Sequence, residues 1–283
     1  MKPAKFDYSS AAATSDANAE LSAGNGGTKL IAGAQSIGPM LNLRLVRPER
    51  LIDVSMLPEL RAAKVTAAGI EIGAAVTHAE IEDGEVSGWA TAESGKAPVV
   101  WLREAAANIA HRAVRNRGTL GGSLAHADPA ADWVIVMTGL GAQVRLQGPD
   151  GQRDVAVSDF VTGPFETALQ PGELIASVHV PRPGPNARWG YWKFVRQVGE
   201  FAKASATVLV DPDAAAPRIA VGALGRQPLV LEPNVATDFA TGQMTAQAAL
   251  AATLPERNIR DLALHVAALN NALAKAHNES EQR

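Results

Sequence analysis

Two stretches of this chain are almost stripped of side-chain bulk, and each stands before a helical pattern. The first, Ala32, Gly33, Ala34, Gln35 and Ser36, follows the apolar run that begins at Lys29. The second is Thr119, Leu120, Gly121, Gly122 and Ser123. The chemistry open to such loops is anion binding. A bulk-free loop exposes backbone N–H groups, and a helix N-terminus behind it favours negative charge. Tight turning and close packing are the alternative use of the same residues. Either loop taken alone leaves both uses open. As a pair in one half of the chain, they could grip a pyrophosphate from both sides. Neither matches Gly-x-Gly-x-x-Gly or ends in the Lys-Ser/Thr of a P-loop, so Rossmann and ATPase readings fail at the motif.

Composition narrows the chemistry further. The chain has 283 residues, 47% of them hydrophobic and 19% charged, which suits a compact protein of two domains. Its net charge is −3 and its Lys and Arg residues form no stripe, so nucleic acid is not an expected partner. With a cysteine count of zero, disulfides, thiolate nucleophiles, cysteine-ligated iron–sulfur clusters and Cys-type zinc sites are excluded from this chain. The six histidines are scattered without a His-Glu-x-x-His pair, so no metal site is expected. No apolar stretch is long enough to span a bilayer. The N-terminal MKPAKFDYSS lacks the apolar core of a secretory signal, so a cytoplasmic location is expected.

The elements that must position the loops alternate strand and helix in the first half. TKLIAGA, ERLIDVS and GIEIGAAV read as strands, with a helix through Met40 to Leu45. Thr77 and Glu80 form a capping box. The clearest helix is PVVWLREAAANIAHRAV, with Trp101, Leu102, Ala105, Ile109 and Ala113 on one face. Asp128 and Pro129 announce another helix as N-cap and first residue. AQVRLQGPDGQRDVAV is a hairpin around Pro-Asp-Gly. Near Pro171 a second region begins, with four strand-like runs (GELIASVHVP, RWGYWKFVR, ASATVLVD, RIAVGAL) followed by helices, an α+β arrangement.

Together, AGAQS, RNRGTLGGSLAHADPAAD, GELIASV and YWKFVRQVGEFA resemble the FAD-binding (medium) subunits of molybdenum hydroxylases, the carbon monoxide dehydrogenase and xanthine dehydrogenase family. The likeness runs from about Lys29 to the C-terminal helices. It implies an α+β fold of the vanillyl-alcohol-oxidase type (PCMH-like). Residues 1–172 would form a two-subdomain FAD-binding domain, and residues 173–283 a smaller α+β C-terminal domain. It assigns FAD contacts to Ala32, Gly33, Ala34, Gln35, Ser36, Thr119, Leu120, Gly121, Gly122 and Ser123. Family members usually carry a second glycine where this chain has Ala34. By the same resemblance Asp132 matches a polar contact to the ribityl or flavin end, and Ile175 an apolar contact to the ring. Tyr191 matches a ring that covers one flavin face. Lys193, on the same strand face, would favour the negatively charged reduced ring. For Asp132, Ile175 and Lys193, ordinary structural roles fit the residues as well.

The function implied is that of an oxidoreductase subunit, a flavoprotein in a heterotrimer with a large molybdenum-cofactor subunit and a small subunit carrying 2Fe-2S clusters. Electrons would pass from the clusters to FAD and on to an external acceptor (NAD, quinone, cytochrome or oxygen). The lack of cysteine fits clusters held on another chain. The alternatives are a self-contained flavin-dependent oxidoreductase of the vanillyl-alcohol-oxidase type, or a non-enzymatic module binding some other anion. The substrate lies outside what the chain encodes.

Overall fold

The computed structural model describes residues 2–89 and 97–278. The chain opens with β1 (Asp7–Ser10), α1 (Thr14–Ala23), β2 (Thr28–Ile31), α2 (Ile37–Asn42) and β3 (Arg50–Asp53). Their sheet has the order β1-β3-β2 and both pairings are parallel. Leu51 and Ile52 in the middle strand are buried on opposite faces, as a covered parallel sheet requires. Ser10, Ile31 and Asp53 stand level in the register, so all three strands stop at one edge. The loop Ala32–Ser36 leaves from that edge, where parallel α/β sheets place their ligands.

A second unit follows. It contains β4 (Ala63–Val65), β5 (Gly69–Gly73), α3 (His78–Asp83), α4 (Val99–Ala107), α5 (Arg112–Arg115), α6 (Leu120–His126) and α7 (Asp132–Gly139). It continues through β6 (Gln143–Gly148), β7 (Gly151–Ala156), α8 (Val157–Phe160), β8 (Val161–Gly163), β9 (Glu166–Thr167) and β10 (Leu174–Pro181). The main sheet runs β4-β5-β10-β6-β7, and all its pairings are antiparallel. Every residue of α7 is buried. Its apolar residues join Trp101, Leu102 and the inner face of β5, β6 and β10 in one core.

The third unit is an antiparallel sheet of β11 (Arg188–Phe194), β12 (Ala204–Val210), β13 (Arg218–Gly222) and β14 (Leu229–Val230). Helices α9 (Pro233–Ala240), α10 (Ala246–Thr253) and α11 (Ala263–Asn278) follow it. Small residues let it approach its neighbours. A Cβ on Gly190 would lie 1.8 Å from the Ala272 carbonyl oxygen, and one on Gly139 would lie 2.1 Å from Thr207 Oγ1.

Several elements differ from the sequence reading. The run GELIASVHVP, read as opening the second domain, is β10, the middle strand between β5 and β6. That sheet is therefore complete only at Pro181, where β10 ends. A strand can lie far along the chain from its partners, and the local pattern does not record which sheet it joins. The long helix through residue 114 breaks after Ala107, because Ala110 turns left-handed (φ 42°) and His111 is extended. Arg115 donates to the freed carbonyls of Ile109 and Ala110 at 2.9 and 3.2 Å, so the break is satisfied. Asp128 is not the N-cap of α7. Its carboxylate accepts from the Ala130 amide at 2.9 Å in a turn of its own, and the helix starts at Asp132. Helix α2 ends at Asn42, short of Leu45, and β1, α1 and α9 had no clear pattern in the sequence.

Candidate cofactor site

The first loop owes its shape to two small residues. Gly33 has no room for a side chain: a Cβ there would lie 2.0 Å from the Arg117 carbonyl oxygen and 2.8 Å from Gly118 Cα. That contact seats the first loop directly against the second. Ala34 takes the left-handed conformation, φ 60°, which tilts successive amides toward one side. The amides of Gly33, Ala34, Gln35 and Ser36 donate to no acceptor among the described residues. Gln35 folds back, its Nε2 donating to the Gly33 carbonyl at 2.9 Å. Ser36 stands before α2 without capping it, which leaves its hydroxyl uncommitted. Among the described residues the loop is a run of unused donors.

The second loop is built differently. Thr119 caps α6, its Oγ1 accepting from the Gly122 amide at 3.1 Å. The amides of Leu120 and Gly121 donate to the Val76 and Ala74 carbonyls at 3.0 and 2.8 Å, and Ser123 donates to Thr119 at 3.0 Å. These donors are spent within the protein, so the pair of nests expected from the sequence is one nest and one wall. Gly121 is pinned behind that wall, since a Cβ on it would lie 2.5 Å from Ala74 Cβ. A Cβ on Gly122 would touch only the side chain of its own cap, Thr119. Neither glycine has positive φ.

Beside the two loops lies a cleft of about 330 Å³, whose wall does not include Gly33, Ala34, Gln35, Ser36 or Ser123. Its wall includes Ala32, Gly121, Gly122 and Ile175, four of the residues named from the sequence, along with Leu30, Ala74 and Leu174. Thr119 and Leu120 support it from the core, 3% and 0% exposed.

Asp132, Tyr191 and Lys193 do come together, but away from that wall. The Tyr191 hydroxyl donates to Asp132 Oδ1 at 2.5 Å, and Lys193 Nζ lies 2.7 Å from the same oxygen. Lys193 Nζ also donates to the Asn108 carbonyl at 2.8 Å. The ion pair is almost closed to water, with side-chain exposures of 7% and 5%. Burial pushes the Asp132 carboxyl up from its ordinary value, while Lys193 and Tyr191 pull it back. Burial likewise raises the Tyr191 phenol, and the Asp132 charge adds to this. The positive charge of Lys193 is thus matched by a carboxylate, a partner that nothing in the strand pattern announced.

His78 supports the second loop from beneath. Its amide donates to the Gly118 carbonyl at 2.9 Å, and its Nδ1 accepts from Trp133 Nε1 at 2.9 Å. Burial, helped by the charge of Arg115, pushes its pKa down to about 3. The sequence showed His78 only as one scattered histidine beside a capping threonine.

Residues 4–183, well over half of the chain, match the family described as the FAD binding domain in molybdopterin dehydrogenase. The chain belongs to that family. It is 38% identical over 213 residues to the 6-hydroxypseudooxynicotine dehydrogenase complex subunit alpha of Paenarthrobacter nicotinovorans, covering 75% of this chain and 69% of that protein. It is 33% identical over 210 residues to the carbon monoxide dehydrogenase medium chain of Hydrogenophaga pseudoflava, covering 74% and 70%. Its fold superposes on a chain of the reconstituted CO dehydrogenase from Oligotropha carboxidovorans with a TM-score of 0.87, at 27% identity and over 98% and 99% of the two chains. The fold is accordingly the PCMH-like FAD-binding fold, and the chain is an FAD-binding medium subunit of the molybdenum hydroxylases, an oxidoreductase component. The residues present fit FAD. A dinucleotide needs donors for its pyrophosphate and a wall without side chains beside it, and the first loop and Gly122 offer these.

Proposed function

We propose that the first loop, Ala32 to Ser36, holds the FAD pyrophosphate, and that Gly122 and Ile175 line the path of the cofactor. The observation that carries this is the run of four amides from Gly33 to Ser36 with no acceptor among the described residues. Buried or ligand-facing amides are otherwise nearly always satisfied. When bound, FAD supplies electron transfer, accepting reducing equivalents and releasing them to an acceptor. The chain's own part is to bind the cofactor, fix its position and keep charge around it balanced. Asp132, Tyr191 and Lys193 serve the last of these as a neutral unit, with Tyr191 held by its hydroxyl.

The same reading places this subunit in a heterotrimer with a large molybdenum-cofactor subunit and a small 2Fe-2S subunit. Two relatives support that arrangement: one is named as a subunit of a complex and another as a medium chain. The absence of cysteine agrees, because cysteine-held clusters must then sit on another chain. Among the described residues no helix is long and apolar enough to cross a membrane. We place the complex in the cytoplasm, since a chain without cysteine draws no stability from an oxidising compartment. The test is direct. The purified full chain should carry one non-covalent FAD, released intact by acid, and a protein that takes up none in a titration would overturn the reading.

A further inference from the structure

The unused amides of the first loop carry only partial charge, whereas a pyrophosphate brings full negative charge to the same place. The carboxyl edge of the parallel sheet holds an acid of its own. Asp53 Oδ2 accepts from the Tyr8 hydroxyl at 2.6 Å, and Oδ1 from the Ser55 amide at 2.8 Å. Burial pushes Asp53 up, but these bonds and the charge of Arg117 more than offset it, so the carboxyl lies below its ordinary value. An ionised carboxylate at this edge opposes a phosphate unless a cation stands with it.

Arg117 is that cation. Its carbonyl oxygen is the atom that leaves Gly33 no room for a Cβ, so its backbone lies against the first loop. Its charge is felt at both Asp53 and Tyr8. Its side chain is exposed and makes no hydrogen bond or ion pair among the described residues. By contrast, Arg112 and Arg115, on the helix just before it, are both held by carboxylates. A guanidinium presents several donors in a rigid fork that suits phosphate oxygens. We infer that Arg117 neutralises the FAD pyrophosphate over the first loop, an assignment that rests on the reading of that loop as the phosphate cradle.

A different use for the residue is to screen Asp53 and nothing more, and the experiment separates the two. The full chain is freed of flavin and titrated with FAD by fluorescence quenching at low and high salt, with melting of the apoprotein as the measure of fold. Arg117→Gln should bind FAD about tenfold more weakly at low salt. The gap should narrow as salt screens the charge. Arg117→Lys keeps the charge but loses the fork, so it should bind FAD more weakly than the parent and more tightly than Arg117→Gln. If the glutamine variant fails to fold, parent-like FAD binding by Arg117→Lys would itself overturn the assignment. Arg226→Gln makes the same change of net charge in the turn before β14 and should bind FAD normally. Parent-like FAD binding by Arg117→Gln, with only its melting altered, would overturn the assignment in favour of screening. A loss that is the same at every salt concentration would overturn it too. If the parent chain itself binds no FAD, the cradle reading fails first, and that failure is seen before any variant is compared.

Discussion

Gly121 and Gly122 are neighbours in the chain with opposite surroundings, and the difference decides what a substitution at each would report. Valine at Gly121 must push into Ala74 on the adjoining segment, where a Cβ already lies 2.5 Å from its methyl. We expect Gly121→Val to lower stability by about 1–3 kcal/mol through overpacking. Gly122→Val meets only the Thr119 cap, so it should lose about 1 kcal/mol of stability with that cap yet retain much less FAD. Equal flavin content in Gly122→Val and parent would remove this wall from the site. Ala34 sits in a conformation that glycine adopts without cost. Ala34→Gly should therefore raise stability, by up to about 1 kcal/mol after the extra freedom of the unfolded chain is counted, read as a higher denaturation midpoint. Lys193 shows how a residue's role changes once its partner is known. Lys193→Ala strips a buried carboxylate of its counter-ion and should cost about 3–5 kcal/mol. Lys193→Met with Asp132→Asn should recover part of that loss in a denaturation series. An alanine variant as stable as the parent would return Lys193 to the simple charge that the strand pattern suggested.

The elements are coupled through buried polar contacts, and one of these sets a pH dependence. His78 at the start of α3 accepts a hydrogen bond from Trp133 in α7 and holds the second loop by its amide. Its folded pKa of about 3 lies below the ordinary value of 6.5, so the neutral form belongs to the fold. The stability it contributes is full above pH 6.5 and is lost as pH falls from there toward 3. By about pH 4.5 the loss should reach roughly 2–3 kcal/mol. The buried His265 is shifted the same way and adds to the decline. Asp83, Asp154 and Glu173 are held below their ordinary values by hydrogen bonds to arginines, so their contribution survives to lower pH. Urea denaturation across this range should fall more steeply for the parent than for His78→Gln. Matching slopes would mean that His78 is not buried as a neutral ring. The hairpin of β6 and β7 and the capping box of Thr77 and Glu80 behave as their local patterns required, because both are closed by contacts within a few residues.

For the whole molecule, the family relation makes this chain a component that moves electrons rather than one that meets the substrate. The full chain alone, loaded with FAD, should oxidise no heterocycle, aldehyde or carbon monoxide, while its reduced flavin should reoxidise with an added acceptor. Substrate turnover without molybdenum or iron would instead favour a self-contained flavin enzyme. The core that supports this role is shared between regions: α7 packs on the third sheet through Gly139 on Thr207 and Ile135 on Gly222, and its apolar residues share one core with β5, β6 and β10 of the second. Cutting the chain after residue 172 would remove the middle strand of a five-stranded sheet, so that fragment should be insoluble or unfolded by circular dichroism. A cut after Pro181 leaves that sheet whole.

Local chemistry was enough to reveal what depends on local chemistry. Small residues before helical patterns marked both loops, alternation marked the strands after Pro171, and the lack of cysteine removed iron–sulfur and thiolate chemistry from the chain. The motif of Gly118 to Ser123 carried the family. Only the tertiary structure decided which loop keeps its donors free, because that depends on the Val76 and Ala74 carbonyls reaching one loop and no acceptor among the described residues reaching the other. It also decided that β10 belongs to the earlier sheet and that Lys193 faces Asp132 across 61 residues of chain. Hydrogen-bond acceptors and counter-charges come from wherever the fold brings the chain back, and a linear pattern holds no record of that return.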